Sequence, residues 1–135
     1  MRKPSSTNTQ RGLLALLVLA LLASALSGCG IGAATKQEKI SETATSYLRA
    51  LANADTAKAC AQLTRAAKGE VCEAAMRKRL PALDLHALKN AADGSMEIEV
   101  DGDTATAGLS EPQGARFLLV KVGSDWRIDS GYTLH

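Results

Sequence analysis

The pattern of apolar and polar positions divides the chain into three parts. A basic start is followed by an uncharged, Leu- and Ala-rich run from 12 to 26, and apolar residues then recur every three or four positions up to about residue 91. From Met96 the period is two, because Met96, Ile98 and Val100 alternate with glutamates. Periods near 3.6 and 2 are typical of helices and strands. The pattern therefore predicts a leader, then helices, then strands.

The first predicted helix has a clear start and end. Thr35-Lys36-Gln37-Glu38 has the form of a capping box, and an apolar stripe follows it as far as Ala52. Asn53 is expected to take a left-handed conformation after the helix, and Asp55 is expected to cap the next one. The segment thus predicts a helix–turn–helix start to the folded domain.

Three further helical segments are predicted before the strands. One runs from 56 to about 67 and ends at Gly69, and another runs from 70 to 80 and is terminated by Pro81. Residues 83–91 fit either a last helix capped by Asp84 or an extended segment. We expect a helix there.

Four strands are predicted after residue 95. They cover about 95–100, 104–110, 116–122 and 126–132, separated by the turns "DGD", "EPQG" and "GSD". The third is apolar on both faces, which suits a central strand. Helices followed by antiparallel strands predict an α+β fold, with the helices packed on one face of a curved sheet of about four strands.

The leader ends in a lipidation motif. Arg2, Lys3 and Arg11 supply positive charge before the apolar run, which is shorter than the roughly 20 residues of a membrane span. Leu26-Ser27-Gly28-Cys29 resembles the bacterial lipobox, so Cys29 is the predicted lipidation site; the alternative is a plain signal peptide that leaves Cys29 as a free thiol. Residues 1–28 are then a lipoprotein signal peptide, 29–34 a lipidated tether and 35–135 a single α+β domain.

Removing the leader changes the charge of the protein. The whole chain carries 16 basic and 14 acidic side chains, and three of the basic ones precede Cys29. The mature part is therefore near neutral, which argues against nucleic acid as a partner, because phosphate neutralisation needs a concentrated basic surface. Its 107 residues are enough for one modest core.

Two cysteines remain after Cys29. In an oxidising extracytoplasmic compartment, Cys60 and Cys72 are predicted to form a disulfide across a short loop. A metal site is the alternative, but His86 and His135 do not lie at ligand spacing from either cysteine. No metal and no cofactor is expected.

Four sequence stretches in order resemble one family: "SYLRALANADTAKACAQLT" from Ser46, "EVCEAAM", "VDGDTATA" and "DWRID". They are similar to the small exported lipoproteins of high-GC Gram-positive bacteria that have a nuclear-transport-factor-2-like domain. The resemblance covers most of residues 36–132, although the sheet is one or two strands shorter than in larger members. It implies a cone-shaped fold in which a curved sheet and a long first helix enclose a cavity, and that fold hosts both enzymes and binding domains.

Candidate chemistry is sparse. Tyr47 and Trp126 could line the cavity, since each has an apolar body and a polar tip, or they could simply pack in the core. Asp84 and His86 are the nearest local acid–base pair, but Asp84 also fits a helix cap. No catalytic residue is assigned.

The sequence thus predicts a lipoprotein on the extracytoplasmic face of the cell membrane, anchored through Cys29. Its expected role is non-enzymatic binding of a small apolar ligand or of an envelope protein. The alternative is an isomerase- or cyclase-like enzyme that uses the cone cavity.

Overall fold

The computed structural model describes residues 34–131 of the 135-residue chain. The predicted signal peptide, Cys29 and residues 132–135 lie outside the described residues. The helices are α1 Lys36–Ala52, α2 Thr56–Ala61, α3 Arg65–Lys68, α4 Cys72–Arg79 and α5 Leu85–Asp93, with a 3-10 turn at Leu80–Ala82. The strands are β1 Met96–Asp101, β2 Thr104–Leu109, β3 Arg116–Val122 and β4 Asp125–Gly131. No helix within 34–131 combines the length and the apolar character that a membrane crossing requires.

Both ends of α1 are held by specific hydrogen bonds. The Thr35 hydroxyl accepts from the Glu38 amide at 3.2 Å, and the Glu38 carboxylate accepts from the Thr35 amide at 2.7 Å, which confirms the capping box. At the other end the left-handed residue is Ala54, with φ of 56°, and the expectation for Asn53 is wrong. The Asp55 amide donates to the Ala50 carbonyl, a bond of the Schellman motif, which places the left-handed residue one position later.

The predicted second helix is broken into α2 and α3. The break lies at 62–64, where the Ile128 amide donates to the Gln62 carbonyl at 2.9 Å and the Thr64 amide donates to the Ile128 carbonyl at 2.8 Å. These bonds pair the segment with the outer edge of β4, and backbone groups that pair there cannot continue a helix. The segment therefore covers an edge that would otherwise be open.

Helices α3, α4 and α5 each end or begin at a residue that the sequence indicates. Gly69 ends α3 with φ of 62°, and α4 stops before Pro81, which lies in the 3-10 turn. The Asp84 carboxylate accepts from the amides of His86 and Ala87, both at 3.0 Å, and so begins α5. Residues 83–91, for which the sequence allowed either a helix or an extended segment, are therefore helical from Leu85 onward.

The four strands form one antiparallel sheet in the order β1-β2-β3-β4. β2 and β3 are the central strands, and the pairing of β3 with β4 shifts between Leu118 and Leu119, which leaves Asp129 unpaired as a bulge. Helices followed by a four-stranded antiparallel sheet confirm the α+β class.

The core lies between the helices and one face of the sheet, here called the inner face. α1 supplies Ile40, Ala44 and Leu48, all fully buried. The sheet supplies a matching set on alternate positions: Ala105, Ala107, Phe117, Leu119, Trp126 and Ile128. On the opposite face β3 exposes 37% of Leu118 and 53% of Val122, so this strand is central but not buried on both faces.

Candidate functional site

A pocket of about 420 Å³ lies beside α4, near the start of β3 and the end of β4. We call it the α4 pocket. Its floor is part of the core, with Phe117 and Ile128 almost fully buried and Met76 partly buried. Exposed residues of α4 also line it, so it is open to solvent on that side. Its size lies in the range of about 300 to 1,000 Å³ that is usual for small-molecule sites.

Charged side chains lie on the open side of the α4 pocket. Lys68 at the end of α3 and Arg79 at the end of α4 both line it and are exposed. The carboxylate in the lining is Asp129, whose Oδ1 accepts a hydrogen bond from the Thr64 hydroxyl at 2.8 Å. An apolar floor with two cations and one engaged carboxylate suits a ligand with an apolar body.

Tyr47 connects the pocket to the core. Its ring packs edge-on against Phe117, with ring centroids 5.7 Å apart and an interplanar angle of 86°. Burial raises the pKa of the Tyr47 phenol above its ordinary value of 10.0, and the positive charge of Arg79 acts in the opposite direction. The phenol is therefore neutral at physiological pH, and its hydroxyl can donate or accept a hydrogen bond in the pocket.

A disulfide between Cys60 and Cys72 holds α4 beside the pocket. The two Cα atoms are 6.1 Å apart, and the bond joins α2 to the first residue of α4. Cys60 is buried, and its Sγ lies 3.6 Å from the Met76 Sδ, a sulfur–sulfur contact because the oxidised cysteine has no proton to donate. The predicted disulfide is confirmed, and these cysteines are not free to bind a metal ion.

Small side chains of α3 and α4 leave room in the pocket. Ala67 and Ala75 face it from α3 and α4, and Cys72 is the only residue of α4 in the buried core. At its far side, Gly131 passes against the Arg116 carbonyl so closely that a Cβ atom there would overlap it. Glycine is therefore required where β4 approaches β3 at the rim.

The two aromatic residues expected to line a cavity are in different places. Tyr47 lines the α4 pocket, whereas Trp126 is 97% buried in the core and borders a separate polar groove between α1 and β4. The Trp126 carbonyl accepts from the Thr43 hydroxyl at 3.3 Å in that region. Of these two aromatic residues, therefore, Tyr47 is the candidate ligand contact in the α4 pocket.

The other acidic and basic candidates lie outside the α4 pocket. Asp84 is used as a helix cap, and the neighbouring His86 is exposed. Glu97 and Glu99 point away from the core on β1. Within residues 34–131, no three His, Cys, Asp or Glu side chains are grouped so as to hold a metal ion.

The sequence did not single out Lys68, Arg79 or Asp129; Arg79 lies in the basic run Arg77-Lys78-Arg79 at the end of α4. Charged residues at helix ends are usually solvated, so the run itself carried no signal for a pocket. The one available signal was Met76, on the apolar stripe of α4 three residues before Arg79. A stripe of that kind implies that one face of α4 turns inward.

No protein family, curated protein or solved structure matches this chain.

Proposed function

We propose that this protein is a lipid-anchored lipoprotein of the cell envelope whose domain binds a small apolar ligand in the α4 pocket without catalysing a reaction. The observation that carries the binding function is the apolar floor of that pocket, formed by Phe117, Ile128 and Met76 and reached from solvent past α4. A cavity that opens onto the core in this way is the usual form of a small-molecule site.

The anchor is proposed from the sequence around Cys29. A basic start, an apolar run and Leu26-Ser27-Gly28-Cys29 follow one another in the order that lipoprotein processing needs. A diacylglycerol on the Cys29 thiol supplies two acyl chains, which hold a soluble domain at a membrane where a single chain would not. An anchor of this kind implies that the domain lies on the extracytoplasmic face.

A nuclear-transport-factor-2-like fold is proposed for the domain. Two features support it: the long first helix α1 packs on the inner face of an antiparallel sheet, and a pocket lies next to that helix. The four sequence stretches that resemble exported lipoproteins of this class fall on α1, α2, α4, β1, β2 and β4.

The hydrogen bond of Asp129 and the neutral form of Tyr47 favour binding over catalysis. General acid–base catalysis needs a free acid or base beside the reacting atoms. Asp129 accepts a hydrogen bond from the Thr64 hydroxyl, and the neutral phenol of Tyr47 is a hydrogen-bond donor and not a base. Both groups can therefore orient a ligand.

An isomerase- or cyclase-like enzyme is the second candidate. It is favoured by one observation, namely that a carboxylate, Asp129, and a phenol, Tyr47, line the same pocket. The two candidates separate by the fate of the bound molecule. A carrier releases it unchanged, whereas an enzyme releases a different compound, and mass spectrometry of the released material distinguishes them.

The binding function is tested by filling the pocket. Ala75 lines it and Ala74 does not, although both are exposed on α4. We expect the neutral fluorophore N-phenyl-1-naphthylamine to bind the mature protein, and we expect Ala75→Phe to weaken that binding at least about tenfold, because the new ring occupies the site. Ala74→Phe is the matched control. Equal binding by both variants would show that the probe binds elsewhere.

The anchor is tested at the processing site. We expect Cys29→Ala to abolish incorporation of labelled palmitate and to release the protein from the membrane fraction, because the acyl chains are lost. Gly30→Ala keeps the thiol and is expected to retain both properties. Membrane retention and palmitate labelling of Cys29→Ala would contradict the anchor.

A further inference from the structure

We propose that the ligand of the α4 pocket is a small anionic amphiphile, with a carboxylate or phosphate group held by Lys68 and Arg79 and an apolar body on the pocket floor. This inference rests on the proposed binding function and specifies the class of ligand. Three independent features of the described residues support it: the unpaired cations, the free phenol and the separation of charge along the chain.

The first feature is the pairing state of the cations. Arg77 forms an ion pair with Glu73 at 3.3 Å, whereas Arg79, on the same helix but lining the pocket, pairs with no carboxylate within 34–131. Lys68 likewise has no ion pair with any described carboxylate. Two such cations at one opening provide several N–H donors for the oxygens of one anion.

The second feature is the Tyr47 hydroxyl. It has no hydrogen-bond partner among the residues that the structure describes, and it lines the same pocket as Arg79. A neutral phenol donates readily to an anionic oxygen, and hydrogen bonds to charged acceptors are stronger than those between neutral groups. Tyr47 and Arg79 can therefore bind different oxygens of one acidic group.

The third feature is the distribution of charge. Residues 65–79, which form α3 and α4, contain five basic and two acidic side chains, whereas residues 96–103 contain four acidic and no basic ones. The domain as a whole is near neutral, but its basic segment, residues 65–79, lies at the α4 pocket. An excess of positive charge around an opening attracts anions and repels cations.

The apolar floor of the pocket determines the chemistry of the part of the ligand that carries no charge. Phe117 and Ile128 provide apolar surface and Met76 an adaptable thioether, and none of these side chains can accept or donate a strong hydrogen bond. A small inorganic anion would leave this surface wet, while a neutral apolar molecule would leave the cations unused. An anionic group on an apolar body satisfies both parts of the pocket.

The test compares three probes that share a tail: sodium decanoate, decyl phosphate and 1-decanol. Each competes with N-phenyl-1-naphthylamine for the mature protein, below its own aggregation concentration. We expect both anions to bind about tenfold more tightly than decanol, and we expect this preference to shrink with added salt. Whether decanoate or decyl phosphate binds more tightly distinguishes a carboxylate ligand from a phosphate ligand.

Four single substitutions identify the residues that cause the preference for anions over decanol. Arg79→Gln and Lys68→Gln are each expected to weaken decanoate binding several-fold with little change in decanol binding, since only decanoate has a negative charge that pairs with these cations. Arg77→Gln removes the same charge from the same helix outside the pocket and is expected to leave the preference unchanged. Tyr47→Phe is expected to weaken binding of both anions more than that of decanol.

The outcomes separate the two proposals. Equal affinities of wild type for decanol and decanoate would overturn the anionic class while the binding function stands. An anion preference that Arg77→Gln reduces as much as Arg79→Gln would also overturn it, because the effect would then be a general one of charge. Failure of all three probes and of the fluorophore to bind would overturn the binding function itself.

Discussion

The helices α4 and α5 are nearly equal in length, but they are attached to the domain in different ways. α5 packs along α1 and buries Leu88, Ala91 and Ala92. α4 packs on α2 instead and buries only Cys72, and the space between it and the strands is the α4 pocket. α5 is thus attached by apolar packing and α4 by a covalent bond; the α5 side of the domain is called the closed half, and the α4 side, with its pocket, the open half.

The sequences of the two helices explain this difference. α5 places small and aliphatic residues on one face, which allows close approach to α1. Half of the eight residues of α4 are charged, namely Glu73, Arg77, Lys78 and Arg79, so it has little apolar surface to bury. A helix of that composition gains little from packing, and the disulfide adds a covalent attachment to α2.

The largest expected effect follows from the closed half. Leu88 is fully buried, so Leu88→Ala removes core contacts and is expected to lower the free energy of unfolding by about 3 to 5 kcal/mol. Leu85→Ala on the same helix changes a side chain that is 41% exposed and is expected to cost much less. Urea unfolding followed by circular dichroism measures both. Equal losses for the two variants would contradict the account of the closed half.

The second-largest expected effect concerns the disulfide that attaches α4 in the open half. Cys60 and Cys72 are 12 positions apart, and the double variant Cys60→Ala with Cys72→Ala is expected to lose about 3 kcal/mol, because the unfolded chain is no longer constrained. Hydrogen exchange should show the loss as faster opening of α4, with the amides of α5 affected only by the lower global stability. Uniform acceleration in both helices would show that α4 does not depend on the bond more than α5 does. The wild-type protein under reductant is the matched control for the substitutions.

The sequence predicts well those features that depend on a few neighbouring residues. The capping box at Thr35, the end of α3 at Gly69 and the cap at Asp84 each require only side chains within four positions, and all three are present. The strand pattern is similarly local. The α+β class follows from the order of these elements.

What the sequence could not predict depends on distant contacts. The break between α2 and α3 arises because Leu63 pairs with Ile128, 65 positions later, and helical periodicity continues across it. The α4 pocket has the same origin, since it requires residues from α1, α3, α4, β3 and β4 to meet. Lys68 and Arg79 looked like ordinary solvated helix residues, and only the fold shows that they border one cavity.

The smallest expected effect concerns Tyr47, which lies on α1, packs against Phe117 and lines the α4 pocket. Because burial raises the pKa of Tyr47, the native state keeps its proton at pH values where the unfolded chain has lost it. Its contribution to stability is therefore complete below the ordinary pKa of 10.0 and is lost as the pH rises toward the native pKa. Wild type should thus lose more unfolding free energy between about pH 8 and about pH 11 than Tyr47→Phe, and urea unfolding at the two values measures this difference. Equal losses would mean that the phenol is as well solvated in the native protein as in the unfolded chain, and hence that Tyr47 belongs to the open half alone.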